Sequence, residues 1–85
     1  MKNLLKQKDL NPQDKLIILH LNDNMLFNEC KLTSQDIAND LGLTRKKVID
    51  TLDKLVEMDL ITCKVDGQFR QRITKFTERL KKLIE

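Results

Sequence analysis

A mainly α domain with one small β-hairpin (α+β) is the fold class that the sequence predicts, and three observations predict it. Apolar residues recur at helical spacing in three successive segments between Pro12 and Met58. Gly42 falls between the second and third of these, where a short turn must reverse the chain. Two β-rich runs, "LITCKV" and "QFRQRITKF", then flank "DG", the commonest two-residue hairpin signal.

The elements follow in order. "KNLLKQK" reads as a short amphipathic helix in an N-terminal extension over residues 1–10, with Leu4 and Leu5 as its apolar contacts. Asn11 then caps a helix whose first residue is Pro12, because a proline at that position loses no hydrogen bond and has its φ preset. Leu16, Ile17, Ile18 and Leu19 give this helix a broad apolar face to about Asn24. "NECKL", residues 28 to 32, is too short for a helix and reads as a short strand. Thr33 opens "TSQD", a capping box with Asp36 as its acid, so a second helix starts at Ser34 and buries Ile37, Ala38 and Leu41. Gly42 ends it and Leu43 plugs the turn. Thr44 caps a third helix carrying Val48, Ile49, Leu52, Leu55 and Val56 on its inner side, to about Met58. The hairpin has Asp66 and Gly67 at its tip, and Thr77 caps a last helix with Leu80, Leu83 and Ile84 on one face. The core unit is thus 12–76, followed by a terminal helix over 77–85.

A chain of 85 residues supports one domain, since a smaller core would not offset its conformational entropy. Charged residues at 34% and hydrophobic residues at 40% suit a helical globular domain rather than a disordered chain. No apolar run of about 18 residues and no basic-then-apolar leader occurs, which predicts neither a membrane span nor a secretory signal and so a cytoplasmic location. Cys30 and Cys63 stand apart, and His20 is the only histidine, so the spacing of a metal site is missing and no cofactor is expected. No Ser/His/Asp grouping or Gly-rich phosphate loop accompanies them, and the chain reads as a non-enzyme. Both cysteines read as small, buried, reduced residues in adjacent strands.

The net charge of +3 is unevenly spread. Residues 1–42 hold five Lys/Arg against six Asp/Glu, whereas residues 43–85 hold eleven against seven. A basic partner surface therefore belongs to the second half.

The succession helix, short strand, helix, tight turn, helix, hairpin, helix is that of a winged helix-turn-helix, in which the third helix enters the major groove and the hairpin is the wing. "LTSQDIANDLGLTRKKVIDTLDKLVEMDLI" resembles that family through Ala38 at the helix crossing, Gly42 in the turn, Thr44 as cap, and the exit into the wing. Over residues 12 to 80, and in "RQRITKFTERL" above all, the chain is similar to MarR-type transcription regulators; small plasmid and phage winged-helix proteins look similar over the same stretch.

That resemblance implies double-stranded DNA as partner and a small transcription regulator, a repressor, as function. Arg45, Lys46 and Lys47 occupy the first turn of the recognition helix, where the dipole disfavours cations but an anionic duplex would offset it. Arg45 and Thr44 are expected to point into the groove, with Lys47 and Thr51 beside them, Lys46 towards a phosphate strand and Ser34 at the start of the preceding helix. Arg45 suits guanine, whose O6 and N7 its planar fork meets together. Arg70 and Arg72 share one face of the wing and, with Lys64, suit the minor groove or its phosphates. Leu4, Leu5, Leu80, Leu83 and Ile84 are the expected surface of a homodimer on a palindromic site.

Two residues depart from the family's pattern. Asp59 replaces the usual glycine before "LI", which is tolerable because Asp enters the left-handed region more readily than most residues. Asp50 would be repelled by DNA unless paired with Lys46 or Lys54 or accepting from a cytosine amino group. Two other readings stay open: a plasmid or phage replication or partition factor, with which Lys, Asn and Ile usage fitting an A/T-rich genome is compatible, and a module or inhibitor that docks on a protein partner instead of DNA, which Asp50 favours. A cluster such as "RKK" is by itself no more than a solvated face; its place after the helix-turn-helix pattern is what points to DNA.

Overall fold

The computed structural model describes residues 4, 6–66 and 71–84, with 65, 66, 71 and 72 described through their backbone alone. Helices α1 (Pro12–Asp23), α2 (Ser34–Leu41) and α3 (Arg45–Glu57) precede strands β1 (Ile61–Asp66) and β2 (Gln71–Phe76) and helix α4 (Glu78–Ile84). Among the described residues this is the expected α+β architecture, four helices and a two-stranded antiparallel hairpin, and the expected N-terminal helix "KNLLKQK" lies in part outside them.

Each helix boundary has a local cause. At α1 the Asn11 side chain accepts from the Asp14 amide at 2.8 Å while the Asp14 carboxylate accepts from the Asn11 amide at 3.1 Å. Thr33 and Asp36 repeat the exchange at α2, at 3.0 and 3.1 Å. Gly42 ends α2 in the left-handed region at φ 69, which lets the Leu43 amide turn back onto the Ala38 carbonyl at 2.9 Å. The same closure ends α3: Asp59 sits at φ 59 and the Leu60 amide donates to the Leu55 carbonyl at 3.0 Å. Thr77 clasps that turn to α4, its hydroxyl shared between the carbonyls of Asp59 and Leu60 at 2.7 and 3.0 Å and accepting from the Leu80 amide at 3.3 Å.

The hairpin differs from the expected one in register. Ile61 lies opposite Phe76 and Asp66 opposite Gln71, so Asp66 is a strand residue and residues 67–70 connect the strands. A two-residue Asp66-Gly67 turn would have paired Val65 with Gln68, which this register excludes; Gly67 itself lies outside the described residues. "NECKL" is likewise not a full strand. Cys30 alone pairs with Thr74, exchanging both backbone hydrogen bonds at 2.8 Å, and a two-residue turn of Phe27 and Asn28, at φ 54 and 65, joins Leu26 to Glu29 just before it. Cys30 and Cys63 are therefore not in adjacent strands. Thr74 of β2 separates them, with Cys30 on one side and Cys63 on the other.

The core is aliphatic, with Ile17, Ile18 and Leu21 of α1, Ile37 and Ala38 of α2, Val48, Leu52 and Leu55 of α3, and Leu60 and Ile61 closing it from the hairpin side. Leu16 and Val56, read from the sequence as inner-face residues, are 43% and 42% exposed; each lies at the edge of an apolar stripe wider than the face its helix buries. Leu4 and Leu80 are fully buried in this same core.

One polar contact runs through this core edge. The carboxylate of Asp14, only 2% exposed, accepts from Lys54 Nζ at 2.5 Å with the same oxygen that caps Asn11. It ties the first turn of α1 to the last turn of α3, and each charge sits at the helix end whose dipole favours it. A second link joins α1 to α2, His20 Nε2 to Asp40 Oδ2 at 3.0 Å, and gives the half-buried histidine a structural role.

Lys54→Met strands the buried carboxylate and is expected to lower stability by about 2 kcal/mol, with the double variant Asp14→Asn/Lys54→Met recovering most of the loss, as read by urea denaturation. The two left-handed helix ends, Gly42 and Asp59, give opposite signs in the same assay. Gly42→Ala, whose new Cβ meets nothing within 4 Å, costs about 1 kcal/mol through backbone strain alone, whereas Asp59→Gly stabilises by about 0.5 kcal/mol.

Candidate nucleic-acid interface

The three main helices start differently, and the difference falls on the candidate interface. Asn11 and Thr33 each find an aspartate three residues on, so α1 and α2 begin with complete capping boxes. Thr44 caps α3 by accepting from the Lys47 amide at 3.2 Å, but the residue in the place of that aspartate is Lys47, and the first turn of α3 has no acid. The chain thus forgoes a reciprocal cap and places Arg45, Lys46 and Lys47 against the helix dipole, where charge of this sign costs about 0.3–1 kcal/mol per group.

All three side chains are exposed, as is Thr44, and none is held in an ion pair among the described residues. They project from a rigid mount, since Val48, Leu52 and Leu55 of the same helix are fully buried. α2 and α3 pack across the Gly42 turn to complete the helix-turn-helix.

Two expected contact residues are placed elsewhere. Thr51 is 5% exposed and Ser34 8%, so both belong to the packing between helices instead of the surface. Thr51 falls on the buried side because it lies three residues after Val48 and four before Leu55. The face directly opposite the core carries Lys46, Asp50, Asp53 and Glu57, all exposed and spaced four, three and four residues apart. Past its first turn, the outward face of α3 is therefore acidic. Asp50 pairs with neither of the lysines in reach along the helix, because Lys54 is committed to Asp14 and Lys46 forms no ion pair with it.

Lys64 is exposed on β1. Arg72 lies in β2 opposite Val65, and Arg70 lies outside the described residues. Of the residues expected at a dimer surface, Leu4 and Leu80 are internal to the chain, a correction that follows from their complete burial; Leu83 and Ile84 pack partly against the core, and Leu5 is outside the described residues. The Asp14–Lys54 tie left no trace in the sequence, where Lys54 has Asp50 one turn away as an equally good partner. The missing acid at the start of α3 was legible, from the comparison of "NPQD", "TSQD" and "TRKK".

No group of three or more His, Cys, Asp or Glu among the described residues could hold a metal ion, and none of the described helices is long and apolar enough to cross a membrane.

Solved structures share this arrangement. MepR, a transcription regulator of the Staphylococcus aureus multidrug efflux pump MepA, superposes with a TM-score of 0.78 at 29% identity over 94% of this chain and 56% of its own. The fold is the MarR-type winged helix. The S. aureus MepR–DNA complex matches with a TM-score of 0.75 at 28% identity over 94% of this chain and 55% of that one. The adhesin competence repressor AdcR of Streptococcus pyogenes shares the winged-helix fold, with a TM-score of 0.66 at 24% identity over 96% of this chain and 57% of its own. The chain spans little more than half the length of these winged-helix proteins. No protein-family model matches the sequence, and no curated protein does.

The wing also sets the behaviour of the thiols. Burial pushes the Cys30 thiol above its ordinary range, outweighing a backbone hydrogen bond from Leu32 that acts the other way. Two strand spacings of about 4.8 Å separate Cys30 from Cys63, too far for a disulfide within the chain. Alkylation of the native protein near neutral pH is expected to modify half-buried Cys63 well before Cys30, as read by peptide mass spectrometry, and oxidant alone should yield no intrachain disulfide.

Proposed function

We propose that the chain is a sequence-specific double-stranded DNA-binding protein acting in transcription regulation, as a repressor that occupies a promoter site, and not an enzyme. The observation that carries this reading is the start of α3, where lysine stands in the place that an aspartate fills at the other two main helices. Such a start weakens the free protein and is recovered when the duplex supplies the negative charge. A related fold, that of MepR, has been solved on DNA.

In this reading α3 enters the major groove by its first turn. Arg45 reaches a guanine edge, Lys46 and Lys47 meet a base edge and flanking phosphates, and the wing, with Lys64, Arg70 and Arg72, follows the backbone or the minor groove. One copy makes few base contacts, so two copies on a palindromic site give useful specificity. Because Leu4 and Leu80 are internal, the contact between copies draws on Leu83 and Ile84, which pack only partly against the core.

The acidic outward residues Asp50, Asp53 and Glu57 favour a second reading, a module that docks on a basic protein partner. Under it, Arg45→Ala/Lys47→Ala leaves function intact and charge reversal at Asp50 or Asp53 harms it.

Fluorescence anisotropy of a labelled mixed-sequence duplex, titrated at several salt concentrations, tests the DNA reading. Wild type is expected to bind at low salt with a steep salt dependence. Arg45→Ala/Lys47→Ala is expected to weaken binding at least about tenfold and to make the log–log salt slope shallower by about 2. Failure of wild type to bind at low salt refutes it. Lys47→Asp completes the third capping box, so it is expected to raise stability by about 0.5–1 kcal/mol while DNA binding falls, a pair of opposite changes that separates a binding residue from a folding one.

A further inference from the structure

We propose that Asp50 is a specificity-determining residue that reads a cytosine in the major groove, an inference that rests on the DNA-binding reading above. Asp50 lies on the outward face of α3, one turn beyond Lys46, and is exposed. Its carboxylate makes no ion pair and no side-chain hydrogen bond among the described residues. The lysine four residues on that would otherwise neutralise it is held by Asp14 at 2.5 Å. The fold therefore presents a free acceptor immediately behind the cationic first turn.

The chemistry of the groove selects its partner. A carboxylate only accepts, and the major groove offers two donors, the cytosine N4 and adenine N6 amino groups. At adenine the N7 lone pair lies beside the amino group and repels an anion, whereas at cytosine the neighbouring position is a carbon bearing hydrogen. Cytosine is the match. Where no cytosine is in register, the same carboxylate faces acceptors and phosphates and opposes binding. Asp50 thus lowers affinity for wrong sequences as well as raising it for the right one, a repulsive element that sharpens discrimination.

Selection from a pool of randomised duplexes at near-physiological salt, with wild type, Asp50→Ala, Asp50→Asn and Asp53→Ala, tests this. Wild type should select a site with an invariant cytosine, preferred over other bases by about tenfold or more. Asp50→Ala should lose that preference alone while binding mixed-sequence duplex more tightly than wild type at low salt. Asp50→Asn, able to donate and accept, should turn the preference towards adenine. Asp53→Ala removes a carboxylate from the same face and should leave the cytosine in place. The inference is overturned if wild type selects a site without the cytosine, if Asp50→Ala selects the wild-type site unchanged, or if Asp53→Ala erases the preference. Retention of no duplex by wild type refutes instead the DNA-binding reading beneath it.

Discussion

The salt bridge between Asp14 and Lys54 is the contact on which the disposition of the helices depends. Hydrophobic burial is non-directional, and an aliphatic core of Leu, Ile and Val tolerates small rotations of one helix against another. A carboxylate that is 2% exposed does not tolerate them, because its solvation is replaced by one lysine and one backbone amide in fixed positions. Rotating α3 about its axis would withdraw Lys54 and leave the charge buried alone. Together with buried Val48, Leu52 and Leu55, the pair fixes which face of α3 is turned outward, and with it the residues offered to a partner.

Most of the fold was legible because its causes are local. Asn11, Thr33 and Thr44 announce their helices through hydrogen bonds that reach three residues, and Gly42 announces a turn through its own backbone freedom. Asp59 at φ 59 shows the same logic surviving a substitution, since the closing hydrogen bonds are all backbone. What escaped the sequence depends on partners far along the chain. The strand register places Asp66 opposite Gln71 instead of in the turn that "DG" signals, Thr74 lies between Cys30 and Cys63, and Thr51 is buried on the side of α3 that carries Val48 and Leu55. The candidate site was legible in its cationic first turn and misjudged at Thr51, which lies at the edge of the stripe of Val48, Leu52 and Leu55, where a helical wheel alone does not separate surface from core.

The charges of α3 form a sequence along its axis rather than a uniform basic patch. Cations crowd the first turn, where the dipole opposes them, and carboxylates occupy the outward face beyond, where a duplex would oppose them. The last turn carries Lys54, which the dipole favours and which is turned back into the protein. In the proposed DNA reading, the N-terminal end supplies both attraction to the duplex and the guanine contact of Arg45, and the carboxylates behind it narrow further which duplex is bound.

The pairing of Cys30 with Thr74 has a kinetic meaning. Those two residues are separated by more than half the chain, whereas the β1/β2 hairpin, the capping boxes and the Gly42 turn all join near neighbours. Loop-closure entropy weighs on the distant contact and spares the near ones. Loop closure therefore favours the helix-turn-helix and the hairpin as local units over the edge pairing at Cys30, which joins the hairpin to the segment before α2. Opening that pairing breaks two backbone hydrogen bonds and leaves the β1/β2 ladder and the hydrogen bonds within the helices intact.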